Sequence, residues 1–223
     1  MKTFHELQEG VYDPNIFKAI FLAGGPGSGK SYVVRRTTGG LGMKIVNSDD
    51  IYEKMLNDAG LDTTPEDIYS DQGQEIRGRA KAVTKRMQGN FLEGRLGLII
   101  DGTGKDYDKI AKQAQGLKAL GYECYMIFVN TSLETAQKRN QMRKRTLAPK
   151  AVEAMWNEVQ NNIGKFQRLF GATNFIVVDN NDAGEDVFEK VWKRCMLLVR
   201  KKVTNRIAKA WIAKDLAKKA RTK

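Results

Sequence analysis

A chain of 223 residues, 41% hydrophobic and 29% charged, has the length and composition of one soluble α/β domain with a sizeable core. Its longest unbroken apolar runs, such as Tyr125 to Val129, are far too short to cross a membrane, and the opening MKTFHELQEG lacks the apolar centre of a signal peptide. A single histidine, His5, and two cysteines, Cys124 and Cys195, speak against zinc, histidine-based catalysis and a disulfide scaffold, and fit a cytoplasmic protein with buried, reduced thiols.

Residues 1–17 read as an N-terminal segment and 18–185 as the main domain. An apolar run at 19–23 has the pattern of a buried strand. It leads into Gly24-Gly25-Pro26-Gly27-Ser28-Gly29-Lys30-Ser31, the G-x-x-x-x-G-K-[ST] phosphate loop. Glycines let the backbone wrap a triphosphate with its N–H groups inward. Lys30 is then expected to reach the β- and γ-phosphates, and the Ser31 hydroxyl to hold Mg²⁺. Tyr32-Val33-Val34 can open a helix, whose positive end adds to the site.

Further strand-like runs fall at 43–46, 96–100, 122–129 and 174–178. Helical patterns lie between them, at roughly 30–55 with a short break, 74–93, 106–120, 132–142 and 150–170. Alternation of this kind predicts a parallel sheet covered on both faces. Residues 57–73, polar with Gly and Pro, read as a loop or small insertion. The 150–170 pattern places Val152, Met155, Trp156, Val159, Ile163, Phe166 and Phe170 on one stripe, which reads as core packing.

Three stretches could carry chemistry beside the phosphate loop. Asn47-Ser48-Asp49-Asp50 ends the second strand, where an open parallel sheet places its ligand crevice. Asp49 is the candidate base for an attacking hydroxyl; the alternative role for this pair of acids is to cap the next helix. Asp101 ends Leu98-Ile99-Ile100 and is the candidate second Mg²⁺ contact, although Asp-Gly is also a common turn. The IIDGT run has Ile99 where a phosphatase would need a second aspartate, which excludes that chemistry. Arg139 to Pro149 is a basic segment that reads either as a solvated turn or as a lid delivering an arginine.

Charge is concentrated at the end of the chain. Residues 193–223 hold 12 Lys and Arg against one acid, Asp215, while the other 192 residues hold 26 basic and 25 acidic side chains. The helical pattern of 186–223 has Val199, Val203, Ile207 and Trp211 four apart, with Ile212 and Leu216 continuing the apolar side. It reads as a solvated helix packed by that stripe, or as a docking helix for nucleic acid or another polyanion. A helix on a membrane surface is a third option.

GGPGSGKS, NSDD, LIIDGT and RNQMRKRTLAPKAVEAMW, in that order, resemble P-loop kinases of the polynucleotide kinase and zeta-toxin group. The kinase half of phage 5′-hydroxyl polynucleotide kinases is the nearest match. The resemblance spans roughly residues 18–180. It implies a five-stranded parallel sheet in order 2-3-1-4-5, with ATP and Mg²⁺ as cofactors. It also implies Asp49 as general base, Arg143 on the donor phosphates and Arg139 in support. Asp50-Ile51-Tyr52-Glu53 lacks the arginine that follows the base in those polynucleotide kinases.

Three functions follow as expectations: transfer of a γ-phosphate to a polynucleotide 5′-OH with the tail as a tether, transfer to a nucleotide sugar or other small hydroxyl compound, and nucleotide-gated binding without transfer.

Overall fold

The computed structural model describes residues 10–142 and 146–221. Five strands, β1 (Lys18–Ala23), β2 (Lys44–Val46), β3 (Leu98–Asp101), β4 (Glu123–Asn130) and β5 (Phe175–Asp179), form one parallel sheet in the order β2-β3-β1-β4-β5. This is the α/β P-loop NTPase architecture. All carboxyl ends of the strands meet at one edge.

Alternate residues of β1 and β4 serve opposite layers, as the two-residue period of a strand requires. Phe21, Met126 and Phe128 face a layer with α5 (Tyr107–Ala119) and α8 (Ile163–Phe170). Ile20, Leu22, Ile127 and Val129 face α1 (Lys30–Thr38) and α9 (Glu185–Val199). Burial on both sides explains why these strands read as continuous apolar runs. Cys124 and Cys195 are buried free thiols, and burial raises each to about 12.

Three local expectations change. Residues 57–73 are not a structureless insertion. After α2 (Ser48–Asp58) they contain α3 (Pro65–Tyr69) and the first turn of α4 (Asp71–Glu93). Thr64 and Ser70 cap these helices by accepting from the N–H groups of Asp67 and Gly73. Tyr52, Leu56, Ile68, Ile76 and Ala80 close a small satellite core there. The capping signals were in the sequence, hidden by its polarity.

The 150–170 pattern divides into α7 (Pro149–Gln160) and α8. At the break, buried Asn162 turns its amide onto the carbonyls of Gly104 and Lys105, at 3.0 and 2.8 Å.

The tail is likewise two helices. α9 packs Phe188, Val191 and Cys195 into the core, and α10 (Arg206–Arg221) starts afresh after residues 200–205. The break puts the four-apart stripe out of register. Ala208 is buried and Trp211 and Ile212 pack inward, whereas Ile207 is 53% exposed.

Candidate active site

The phosphate loop bridges the end of β1 and the start of α1. The Gly24 N–H donates to Thr103 O at 3.0 Å, tying the loop to the segment after β3. Gly27 and Gly29 have φ of +73° and +75°, a region that costs other residues steric strain. A Cβ at Gly27 would lie 2.2 Å from the Ala136 carbonyl oxygen, so the loop presses on α6 (Leu133–Gln141) as only glycine allows. Gly29 is the N-cap of α1 and offers no side-chain cap, which leaves the first-turn N–H groups facing the loop's concavity.

A collar of amide side chains holds this loop from behind. Asn180, buried at the end of β5, donates from Nδ2 to Ser28 O at 2.7 Å. Arg139 on α6 donates to the carbonyls of Asn180 and Asn181, at 2.7 and 2.9 Å. Arg139 is thereby committed to the loop after β5 and acts on the phosphate loop through Asn180. Arg143 itself lies outside the described residues. Asn140, buried on α6, donates to Leu147 O and accepts from Leu147 N–H, at 2.8 and 3.1 Å. From α7, Trp156 Nε1 donates to Thr131 O at 2.8 Å, and its backbone lies against Gly25.

Lys30 Nζ donates to Asp101 Oδ1, joining the phosphate loop to the end of β3. The register explains it: Asp101 sits beside Leu22 on the neighbouring strand, at the level where β1 gives way to the loop. The residues present fit a Mg²⁺-nucleotide. Gly24, Gly27 and Gly29 have no room for a Cβ against Val129, Ala136 and Asn180, so the loop keeps a bare backbone, and the buried Ser28 Oγ has no hydrogen-bond partner among the described residues. Ser31 is exposed beside Lys30. No cluster of three His, Cys, Asp or Glu that could hold a metal ion occurs among the described residues.

The acids after β2 divide their roles. The N-cap of α2 is Asn47, which accepts from the Asp49 N–H at 2.8 Å and donates from Nδ2 to Asp50 Oδ1 at 2.9 Å. Neither aspartate is the cap. Asp50 is held by Asn47, and the exposed Asp49 carboxylate has no partner among the described residues. β2 lies two strand spacings from β1, about 10 Å, so Asp49 flanks the phosphate loop across Asp101.

Sequence reasoning passed over Arg77. Its guanidinium lies 5.3 Å from the ring centroid of Tyr52, one turn along α2 from Asp49. α4 thus places Arg77 against α2, the helix that begins just after β2. The Tyr52 hydroxyl beneath it is buried and without a hydrogen-bond partner among the described residues.

A family model described as an AAA domain matches residues 20–166. The chain belongs to that family. The match takes in the phosphate loop, Asp49, Asp101 and α7. No curated protein matches the sequence.

Solved structures share the fold at low identity. A putative kinase from Chloroflexus aurantiacus superposes with a TM-score of 0.51 at 15% identity, covering 79% of this chain and 97% of its own. The PezAT toxin-antitoxin system of Streptococcus pneumoniae gives 0.52 at 16%, covering 82% and 86%. The Pnkp1/Rnl/Hen1 RNA repair complex gives 0.52 at 20%, covering 68% of this chain and 46% of that one.

Proposed function

We propose that this AAA-family domain is an ATP- and Mg²⁺-dependent kinase that transfers the γ-phosphate to a hydroxyl, with a polynucleotide 5′-OH as the leading acceptor. One observation carries the proposal: the Asp49 carboxylate, without a partner among the described residues, flanks the Lys30–Asp101 pair at the strand edge where the phosphate loop opens. A nucleotide-gated binding protein needs the phosphate loop but has no use for such a base.

The chemistry divides among named groups. The N–H groups of the loop and of α1, with Lys30, hold the triphosphate and neutralise charge that builds on the moving phosphoryl group. Ser31 and Asp101 would hold Mg²⁺, which when bound would supply positive charge against that of the triphosphate. Asp49 accepts the proton of the acceptor hydroxyl as its oxygen bonds to the γ-phosphorus and the bond to ADP breaks. Asn180 and Arg139 keep the loop in its binding conformation. Arg77, held on Tyr52, supplies the cation for an anionic acceptor, a place left open by Asp50-Ile51-Tyr52-Glu53.

A second reading has its own observation. A cavity of about 190 Å³ beside Asp101 is lined by Thr103, Asp106, Lys109 and Gln113, polar groups suited to a small polyhydroxyl acceptor. The two readings separate on a panel of 5′-OH oligonucleotides, nucleosides, nucleotide sugars and sugars, with labelled ATP as donor. A labelled 5′ end supports the first reading, and label on small molecules alone replaces it with the second. Arg77→Ala is expected to raise the acceptor KM tenfold or more while leaving the KM for ATP unchanged; an equal change in both would remove Arg77 from the acceptor side.

A further inference from the structure

α10 lies at the pole of the domain opposite the phosphate loop. Its inward side meets residues that precede the strands. Trp211 packs edge-on against Phe17, just before β1, with ring centroids 5.6 Å apart. The Arg95 guanidinium, before β3, lies 5.7 Å from the Trp211 ring centroid. Gly121, before β4, is so close to Ala208 that a Cβ there would lie 3.0 Å from the Ala208 nitrogen. The phosphate loop follows the other end of β1. The six residues of β1, about 20 Å, therefore separate the two sites.

The outward side of α10 is basic. Arg206, Lys209, Lys214 and Arg221 are exposed, and the small side chains of Ala210, Ala213 and Ala217 lie between them. Lys201 and Lys202 extend this surface into a cavity of about 680 Å³ that Thr204 and Asn205 also line. Of the acids at this pole, Glu93 is exposed and two others are engaged by neighbours. Glu123 accepts from Lys18 and from the Tyr125 hydroxyl, and Asp215 pairs with Lys219. Exposed basic side chains therefore outnumber acids on this surface, and alanines along its centre permit close approach of a backbone.

We propose that this pole binds the sugar-phosphate backbone of nucleic acid, without sequence preference and independently of the nucleotide at the other pole. Charge complementarity selects this occupant. A membrane surface is disfavoured because it requires one continuous apolar face. On α10 that face is spent on the domain core, and the exposed Ile207 and Leu216 are nine residues apart, on opposite flanks of the helix. The inference does not rest on the transfer reaction. It also changes what a tether could mean, because a strand held at α10 must run the length of the domain before an end reaches Asp49.

The test is fluorescence anisotropy of a labelled 20-nucleotide DNA and its RNA counterpart with the full chain, across a salt series, with and without Mg²⁺-ATP. The comparison protein carries Arg206→Gln, Lys209→Gln and Lys214→Gln, all at exposed positions, and its fold is checked by circular dichroism. Binding is expected to fall about tenfold or more in the triple variant. The slope of log K against log salt should become shallower by two to three, with ATP displacing neither oligonucleotide. An unchanged affinity and slope in the folded variant would overturn the proposal. So would displacement by ATP, or binding to phosphatidylserine vesicles without binding to either oligonucleotide. The salt slope of the wild-type chain gives an independent reading: a slope near zero would also overturn it.

Discussion

Lys30 and Asp101 meet across β1 and β3, with side chains 15% and 16% exposed. The two residues assigned to phosphate and to metal are therefore each other's partner in the protein. Asp101 holds the Lys30 ammonium at the mouth of the loop, and Lys30 holds the Asp101 carboxylate at the level of the metal. Their substitutions should be non-additive. Lys30→Ala is expected to weaken ATP binding by about 10- to 100-fold, the scale of one hydrogen bond to a charged group. Asp101→Asn should instead remove the dependence of ATP affinity on Mg²⁺. Isothermal titration with and without Mg²⁺ checks both, and additive effects in the double variant would show that the two side chains act separately.

Asp49 and Asp50 are adjacent, yet Asn47 engages only the second. Asp49→Asn is expected to lower the transfer rate by about 10²- to 10⁴-fold with ATP affinity preserved. Asp50→Asn should cost about 1 kcal/mol of stability or less and leave the rate within a few fold. Single-turnover rates paired with thermal melts distinguish them, and a reversed pattern would move the base to Asp50.

Gly27 tests the loop's contact with α6. Gly27→Ala forces a Cβ into the Ala136 carbonyl and imposes a left-handed strain of about 1–2 kcal/mol. ATP binding is expected to be lost although the domain still folds. Asn180→Ala takes one hydrogen bond from the Ser28 carbonyl, about 1 kcal/mol, and should weaken ATP binding several-fold. Equilibrium binding of a fluorescent ATP analogue measures each effect, and wild-type affinity in Asn180→Ala would separate the collar from the loop's function.

Much of this was legible in the sequence, for a physical reason. Strands buried on both faces read as apolar runs, and the phosphate loop is built from backbone geometry that glycine spacing reports directly. The places of Asp101, which ends β3, and of Asp49, in the first turn of the helix after β2, were legible from the apolar runs before them. Residues that act through their amide groups were not. Asn180, Asn162 and Asn140 look like ordinary polar asparagines until the fold brings carbonyls to them, up to 152 residues away in the chain. Arg77 was hidden for a related reason, since its partner Tyr52 lies on another helix. The tail misled because a four-residue repeat crosses a helix break, so Val199 and Trp211 never share a face.

Lys18 tests electrostatics far from the site. It is 1% exposed and pairs with Glu123. Burial alone would raise the Glu123 carboxyl, but hydrogen bonds from Lys18 and Tyr125 outweigh it and hold it below its ordinary value of 4.5. A lowered folded value means that the stabilisation is present above the unfolded value and is lost as pH falls through the folded one. Glu123→Gln is expected to cost about 3 kcal/mol at neutral pH by stranding the buried ammonium, lowering Tm by roughly 6–12 °C. The difference from wild type should shrink below about pH 4. Melting curves from pH 3 to 8 measure it, and a difference independent of pH would assign the loss to packing.

The most direct measurement is the fate of labelled γ-phosphate from ATP in the presence of hydroxyl acceptors, with Lys30→Ala as the blank. Label covalently attached to an acceptor, abolished in Lys30→Ala and in Asp49→Asn, is the expected result. Label appearing only as inorganic phosphate, or remaining in ATP that the protein demonstrably binds, would contradict a kinase built on Asp49.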